Sequence, residues 1–176
     1  MLELGGLYIA LYARATPNDY HWAIYHHWSE NRGMKFHIRN LGQGWIAEHG
    51  PTRDIMKQFL LMGLMKIAVV TYEHSQSLQD IITAVPYNSP NVTCRTWVLD
   101  ALRHTISSGI VPEFSLEQVE IDAKAFGSSQ FDDTARNVQP RPTTTSSVFD
   151  QCASLLDLVF VCALILHTSG PCSWRY

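Results

Sequence analysis

What the chain has little of narrows its class first. Four cysteines occur among 176 residues, at positions 94, 152, 162 and 172. They form no CxxC pair and no zinc-ligand spacing, so neither a cysteine metal knuckle nor a disulfide scaffold is expected, and a reducing, cytoplasmic setting is the simplest home. Charge is sparse: 16% of residues are Asp, Glu, Lys or Arg, and the formal net charge is −3. Without a Lys/Arg cluster, a nucleic-acid partner is not expected. No glycine-rich phosphate loop is present, so no nucleotide, flavin or other cofactor is expected. Residues 5–15 are apolar and end in Ala13-Arg14-Ala15, but Glu3 stands where a signal peptide would be basic, and secretion is not expected.

What is present describes a globular protein. Hydrophobic residues make up 46% of the chain, enough for one domain with a proper core. Residues 4–14 read as a largely buried strand, 20–28 as a second, 34–40 as a third, 45–49 as a short fourth stopped by Gly50-Pro51, and 64–72 as a fifth. Helices are expected over 77–85, from Cys94 to about Ser107 with Gly109 as the stop, and from a Ser115 cap to about Phe126. Strands first and helices afterwards is the α+β pattern. Residues 1–127 form the expected domain, and 128–147, rich in Ser, Thr, Pro and Asp, read as a flexible linker. Residues 148–176 form an apolar tail. Its run Leu155 to Leu166 contains Asp157 and is short of the ~20 residues of a spanning helix, so docking onto the domain, or a gene-model artefact, is expected ahead of membrane contact.

The helix at 94 carries the chemistry. Asn91 or Thr93 can cap its start, and Cys94, Trp97, Val98, Ala101 and Leu102 recur at helical spacing on one face. A thiol in the first turn feels the positive end of the helix dipole, which favours thiolate. Two histidines are candidates to serve it. With a hairpin loop near Asn31, His21 and His37 fall close together on adjacent antiparallel strands. In a Cys94–His21–His37 set, His21 takes the thiol proton and His37 orients His21 and stabilises its charge.

These residues resemble a known arrangement. His21-Trp22-Ala23-Ile24-Tyr25, then Phe36-His37-Ile38, then a helix opening at Cys94 with Trp97 one turn on, look like the permuted papain-like scheme of the lecithin:retinol acyltransferases and NlpC-like cysteine peptidases. The acyltransferase-like helix starts Asn-Cys-Glu-His; here Thr93, Arg95 and Thr96 replace the asparagine, glutamate and histidine. The chain also resembles an uncharacterised family of small fungal proteins, through Leu7 to Arg14, Tyr20 to Ala23, Phe36-His37, Trp45 to Glu48 and Cys94 to Val98. The resemblance spans about residues 6–126. It implies a permuted papain-like α+β fold with an antiparallel sheet of about five strands followed by helices.

The leading expectation is therefore a cysteine-dependent hydrolase or acyltransferase acting on a small-molecule or peptide acyl substrate, with an oxyanion hole that includes the Cys94 N–H. A non-catalytic interaction module on the same fold is the second reading. Metal binding through His21, His26, His27, His37 and His49 is the third, weakened because His26 and His27 point to opposite faces of one strand.

Overall fold

The computed structural model describes residues 1–149 and shows a mixed α+β domain. Eight strands are present: β1 Gly6–Ala13, β2 Tyr20–Ser29, β3 Arg32–Phe36, β4 Ile38–Asn40, β5 Trp45–Ala47, β6 Gly50–Arg53, β7 Leu61–Val69 and β8 Thr143–Thr145. Six of them form one sheet in the order β6-β3-β2-β1-β7-β8, while β4 and β5 pair separately. Every pairing is antiparallel except β7 with β8. The main helices are α1 Ser75–Thr83, α2 Cys94–Ser107 and α3 Leu116–Ala135.

Side-chain alternation on the strands explains the layering. Leu7, Ile9 and Leu11 of β1 and Tyr20, Trp22 and Ile24 of β2 share one face, where they form a single core with Val98 and Leu102 of α2 and Val119 and Ala123 of α3. The opposite face carries Tyr8, Ala10, Ala23 and Tyr25, which pack with Ile55 and Leu61. All three helices thus lie against one side of an antiparallel sheet, as an α+β domain requires.

Three expectations need correction. The third strand is not continuous from 34 to 40: it breaks at His37, whose N–H and carbonyl are taken by residues 48 and 49, so Ile38–Asn40 leaves the main sheet and pairs with β5. Gly50-Pro51 does not end strand structure. It begins β6, an edge strand where a missing N–H is tolerated. Residues 128–147 are not a flexible linker. Phe126 and Phe131 pack against the core, which carries α3 on to Ala135. The polar residues beyond it are used: the Asp122 carboxylate accepts hydrogen bonds from Ser146 Oγ at 2.6 Å and from the Ser147 N–H at 2.8 Å. Thr143–Thr145 then joins the sheet beside β7, and the chain passes so close that a Cβ on Gly63 would lie 2.6 Å from the Pro142 carbonyl oxygen. Of the apolar tail expected from residue 148, Val148 is buried and Leu155 to Leu166 lie outside the described residues.

His26 stores an acid sensitivity in this core. It is 1% exposed, and its Nε2 has no hydrogen-bond partner among the described residues. Burial holds its pKa down at about 4, only partly offset by a hydrogen bond to the Val70 backbone. The unfolded chain takes up this proton near pH 6.5, whereas the folded chain resists it until about pH 4. Stability is therefore full above about pH 6.5 and is lost as pH falls towards 4. His26→Gln should flatten the pH 7 to pH 5 decline in urea-unfolding stability. An unchanged slope would assign the acid sensitivity to other groups.

Candidate active site

The start of α2 is built by two threonines. Thr93 Oγ1 accepts from the Thr96 N–H at 3.1 Å, and Thr96 Oγ1 accepts from the Thr93 N–H at 2.8 Å, a reciprocal cap that satisfies two backbone donors. Thr93 rather than Asn91 is thus the cap. Cys94 follows as the first helical residue and is 3% exposed. Its thiol faces the Tyr20 carbonyl oxygen at 3.9 Å, and Arg14 Nη2 donates to the sulfur at 3.5 Å. Arg14 also meets the Asp19 carboxylate, at 3.4 Å, across the turn that joins β1 to β2.

His21 and His37 are brought together as the hairpin geometry predicts: His21 Nε2 lies 2.9 Å from His37 Nδ1. His37 Nε2 in turn lies 3.4 Å from Glu48 Oε2, and the same carboxylate oxygen accepts from Arg39 Nε at 2.9 Å. The order of these contacts is consistent with one arrangement of protons. An ionised carboxylate only accepts, so His37 carries its proton on Nε2 and presents a lone pair at Nδ1. His21 then donates from Nε2, and its own Nδ1 is left as a lone pair able to receive a proton. Burial, and after it the charges of Arg14 and Lys35, hold the pKa of His21 at about 4. Burial first, with Lys35 and His21 next, holds that of His37 at about 3. Both rings are neutral near pH 7.

The third member is placed differently. Cys94 packs in the core that contains Tyr20 and Trp22, whereas His21 pairs with Tyr12 on the alternate face of the sheet, ring centroids 6.0 Å apart. Among the described residues, no hydrogen bond joins Cys94 to either imidazole. Two cavities reflect this division. One, of about 430 Å³, is lined by Cys94, Tyr20, Arg95 and Lys124; the other, of about 550 Å³, by His21, His37, Arg39 and Glu48. Arg14 and Trp45 line both, so the two open onto shared walls.

Three further residues act on this geometry. Arg14 touches the sulfur, Glu48 sets the tautomers, and His49 braces His37 by accepting its backbone N–H at 3.2 Å. His49 is itself stacked on Trp97 of α2, centroids 5.4 Å apart, so one helix carries both the cysteine and the prop for the distant imidazole. From sequence, Arg14 and Glu48 stand out only as members of short motifs. The signal that could have found Arg14 is Asp19 at the other end of the same turn. Of the five histidines weighed for metal, His27 Nδ1 is engaged by the Tyr25 hydroxyl at 3.1 Å. Among the described residues, no group of three or more His, Cys, Asp or Glu could hold a metal ion, and no helix is long and apolar enough to cross a membrane.

Fold and site together define an α+β domain in which a carboxylate-anchored imidazole pair adjoins a helix-capping region with a buried cysteine. The chain belongs to a family of unknown function, DUF6914, whose model matches residues 6–143. No curated protein and no solved structure matches the chain.

Long-range ¹H–¹⁵N NMR tests the proton order directly. At pH 7 both His21 and His37 should appear as Nε2–H tautomers, with His21 protonating near pH 4. A His21 ring protonated on Nδ1 instead would reverse the relay and remove its lone pair from service.

Proposed function

We propose that this protein is a cysteine-dependent acyl-chemistry enzyme of permuted papain-like type, working on an amide, isopeptide or ester. The observation that carries the reading is the Glu48–His37–His21 series of contacts, which leaves an unprotonated His21 lining one cavity with Arg14, itself in contact with the Cys94 sulfur. In this reading the Cys94 thiol leaves the Tyr20 carbonyl and meets His21 across the Arg14–Trp45 wall that the two cavities share. His21 Nδ1 then takes the thiol proton as sulfur attacks the substrate carbonyl carbon. Arg14 supplies positive charge beside the sulfur, and the Cys94 N–H at the helix start faces the developing oxyanion. The imidazolium returns the proton to the leaving amine or alcohol, and a thioester remains. Water, or an acceptor hydroxyl or amine, attacks that thioester with His21 again as base, and the thiol is regenerated. His37 is the orienting member and Glu48 holds its tautomer.

One observation favours a second reading. The sulfur is held by Arg14 and the Tyr20 carbonyl, not by an imidazole, as suits an interaction module on the same fold in which Cys94 only fills the core.

Alkylation by iodoacetamide separates the two readings, in protein whose Cys152, Cys162 and Cys172 are changed to serine. For the enzyme, labelling of Cys94 should proceed well at pH 6 and fall away only towards pH 4, where His21 becomes protonated and can no longer accept. Below that pH the base is lost; above it the base is neutral and competent. His21→Ala should slow labelling at pH 6 by at least about tenfold, within the usual range for losing a positioned base. A rate that climbs only near pH 8.5, as for an ordinary thiol, and ignores His21→Ala would leave the interaction module as the reading.

A further inference from the structure

The cavity in front of Cys94 is cationic, although the protein as a whole is anionic. Its wall holds Arg14, Arg95 and Lys124 against a single acid, Asp19. Behind the wall, one carboxylate serves two of these cations: Glu120 Oε1 accepts from Lys124 Nζ at 2.5 Å and from Arg95 Nη1. Lys124, then Arg95, hold the Glu120 carboxyl below its usual range, so it is ionised at neutral pH and contributes one negative charge only. Arg14 is balanced by Asp19, and one positive charge from the Arg95–Lys124 pair is left over. The position of Arg95 adds to the excess. It lies in the first turn of α2, where the helix dipole is already positive and no acidic residue is present. Glu120 brings one negative charge to that turn from α3, but shares it with Lys124.

Resting on the cysteine-enzyme reading, we propose that the acyl substrate carries a carboxylate, which this cavity seats between Arg95, Lys124 and Arg14 while its carbonyl reaches Cys94. The substrate class is an acyl group with a second, ionised carboxyl close to the reacting carbonyl. Thr93 and Asn18 complete the polar wall. Trp22 and Trp45 bound the rest of the cavity and fit the carbon chain between the two carboxyl carbons.

Two alkylating agents of nearly equal size test this. Iodoacetate is anionic and iodoacetamide neutral, so the ratio of their rates with Cys94 reports the charge of the cavity independently of how reactive the sulfur is. In the protein with Cys94 as its single cysteine, iodoacetate should react at least about fivefold faster relative to iodoacetamide than it does with a free thiol. The excess should shrink at high salt, as screening requires. Arg95→Gln should abolish it, because Lys124 and Glu120 then neutralise one another. Glu120→Gln should raise it, because both cations are released. Opposite signs from two substitutions in one ion-pair cluster are not expected of simple loss of structure. A ratio equal to that of a free thiol in all three proteins would overturn the anionic substrate while leaving the acyl-enzyme reading intact. A preference for iodoacetate with a thiol that reacts only near pH 8.5 would do the reverse. Should the thiol resist both reagents, titration of ¹⁵N-labelled protein with glutarate and with neutral glutaramide decides the matter. Shifts of the Thr93, Cys94 and Arg95 amides with glutarate alone support the proposal, and equal or absent shifts with both overturn it.

Discussion

His37 is tied down at three points, and the arrangement of the site depends on it. Its N–H is given to the His49 ring, its carbonyl accepts the Glu48 N–H at 2.9 Å, and its own ring lies between His21 and Glu48. A residue inside a regular ladder would spend both backbone groups on neighbouring strands. Spending them on residues 48 and 49 instead ends β3 at Phe36 and sends β4 away from the main sheet. The same bonds fix the imidazole, since a ring can be aimed only as well as the backbone that carries it. Trp97 then ties this point to α2. Its indole is 1% exposed, donates to the Val85 carbonyl at 3.3 Å and stacks on His49. A packed core residue thus couples the helix that holds the sulfur to the loop that holds the relay.

Electrostatics at the site follow from burial rather than from acidic partners. Both imidazoles of the relay are desolvated and flanked by cations, Lys35 above all for His37, so neither holds a proton at neutral pH. Lys35 is itself pushed below its usual range by burial and lies 5.5 Å from the centre of the Tyr12 ring. A neutral pair is the consistent state for such surroundings. A preformed imidazolium would sit between Arg14 and Lys35 with only the partly exposed Glu48 to compensate it. Arg14 has a double bearing here, because it lowers the basicity of His21 and places positive charge at the sulfur.

Much of this was legible in the sequence, where local rules govern. Alternation and turn residues located β1 and β2, helical spacing located the inward face of α2 from Cys94 to Leu102, and Gly109, at φ 72°, ends that helix as a C-terminal glycine should. The β2–β3 hairpin carries His37 to within reach of His21, although its ladder, from Ile24↔Phe36 to Ser29↔Arg32, includes neither residue. What failed was non-local. Nothing in the spacing of Phe36-His37-Ile38 reveals that a residue twelve positions on will take the His37 N–H and break the strand. Residues 128–147 look disordered by composition, since serines 146 and 147 are held by distant groups, the Asp122 carboxylate and the Lys66 carbonyl. Cys94 illustrates the same limit. Its place at a helix start is written locally, while the face of the sheet it shares depends on how α2 docks against β2.

Three residues at the start of α2 each have a structural use. Thr93 and Thr96 form the reciprocal cap, so the helix start is fixed by its own side chains rather than by a ligand or a distant loop. Arg95 reaches Glu120 on α3, tying the first turn of α2 to the helix beside it. A carboxylate at position 95 would repel an anion, whereas an arginine sharing the Glu120 carboxylate with Lys124 leaves the surroundings of Cys94 positive. Of the three, Arg95 alone therefore both ties the helix down and sets the charge beside the cysteine.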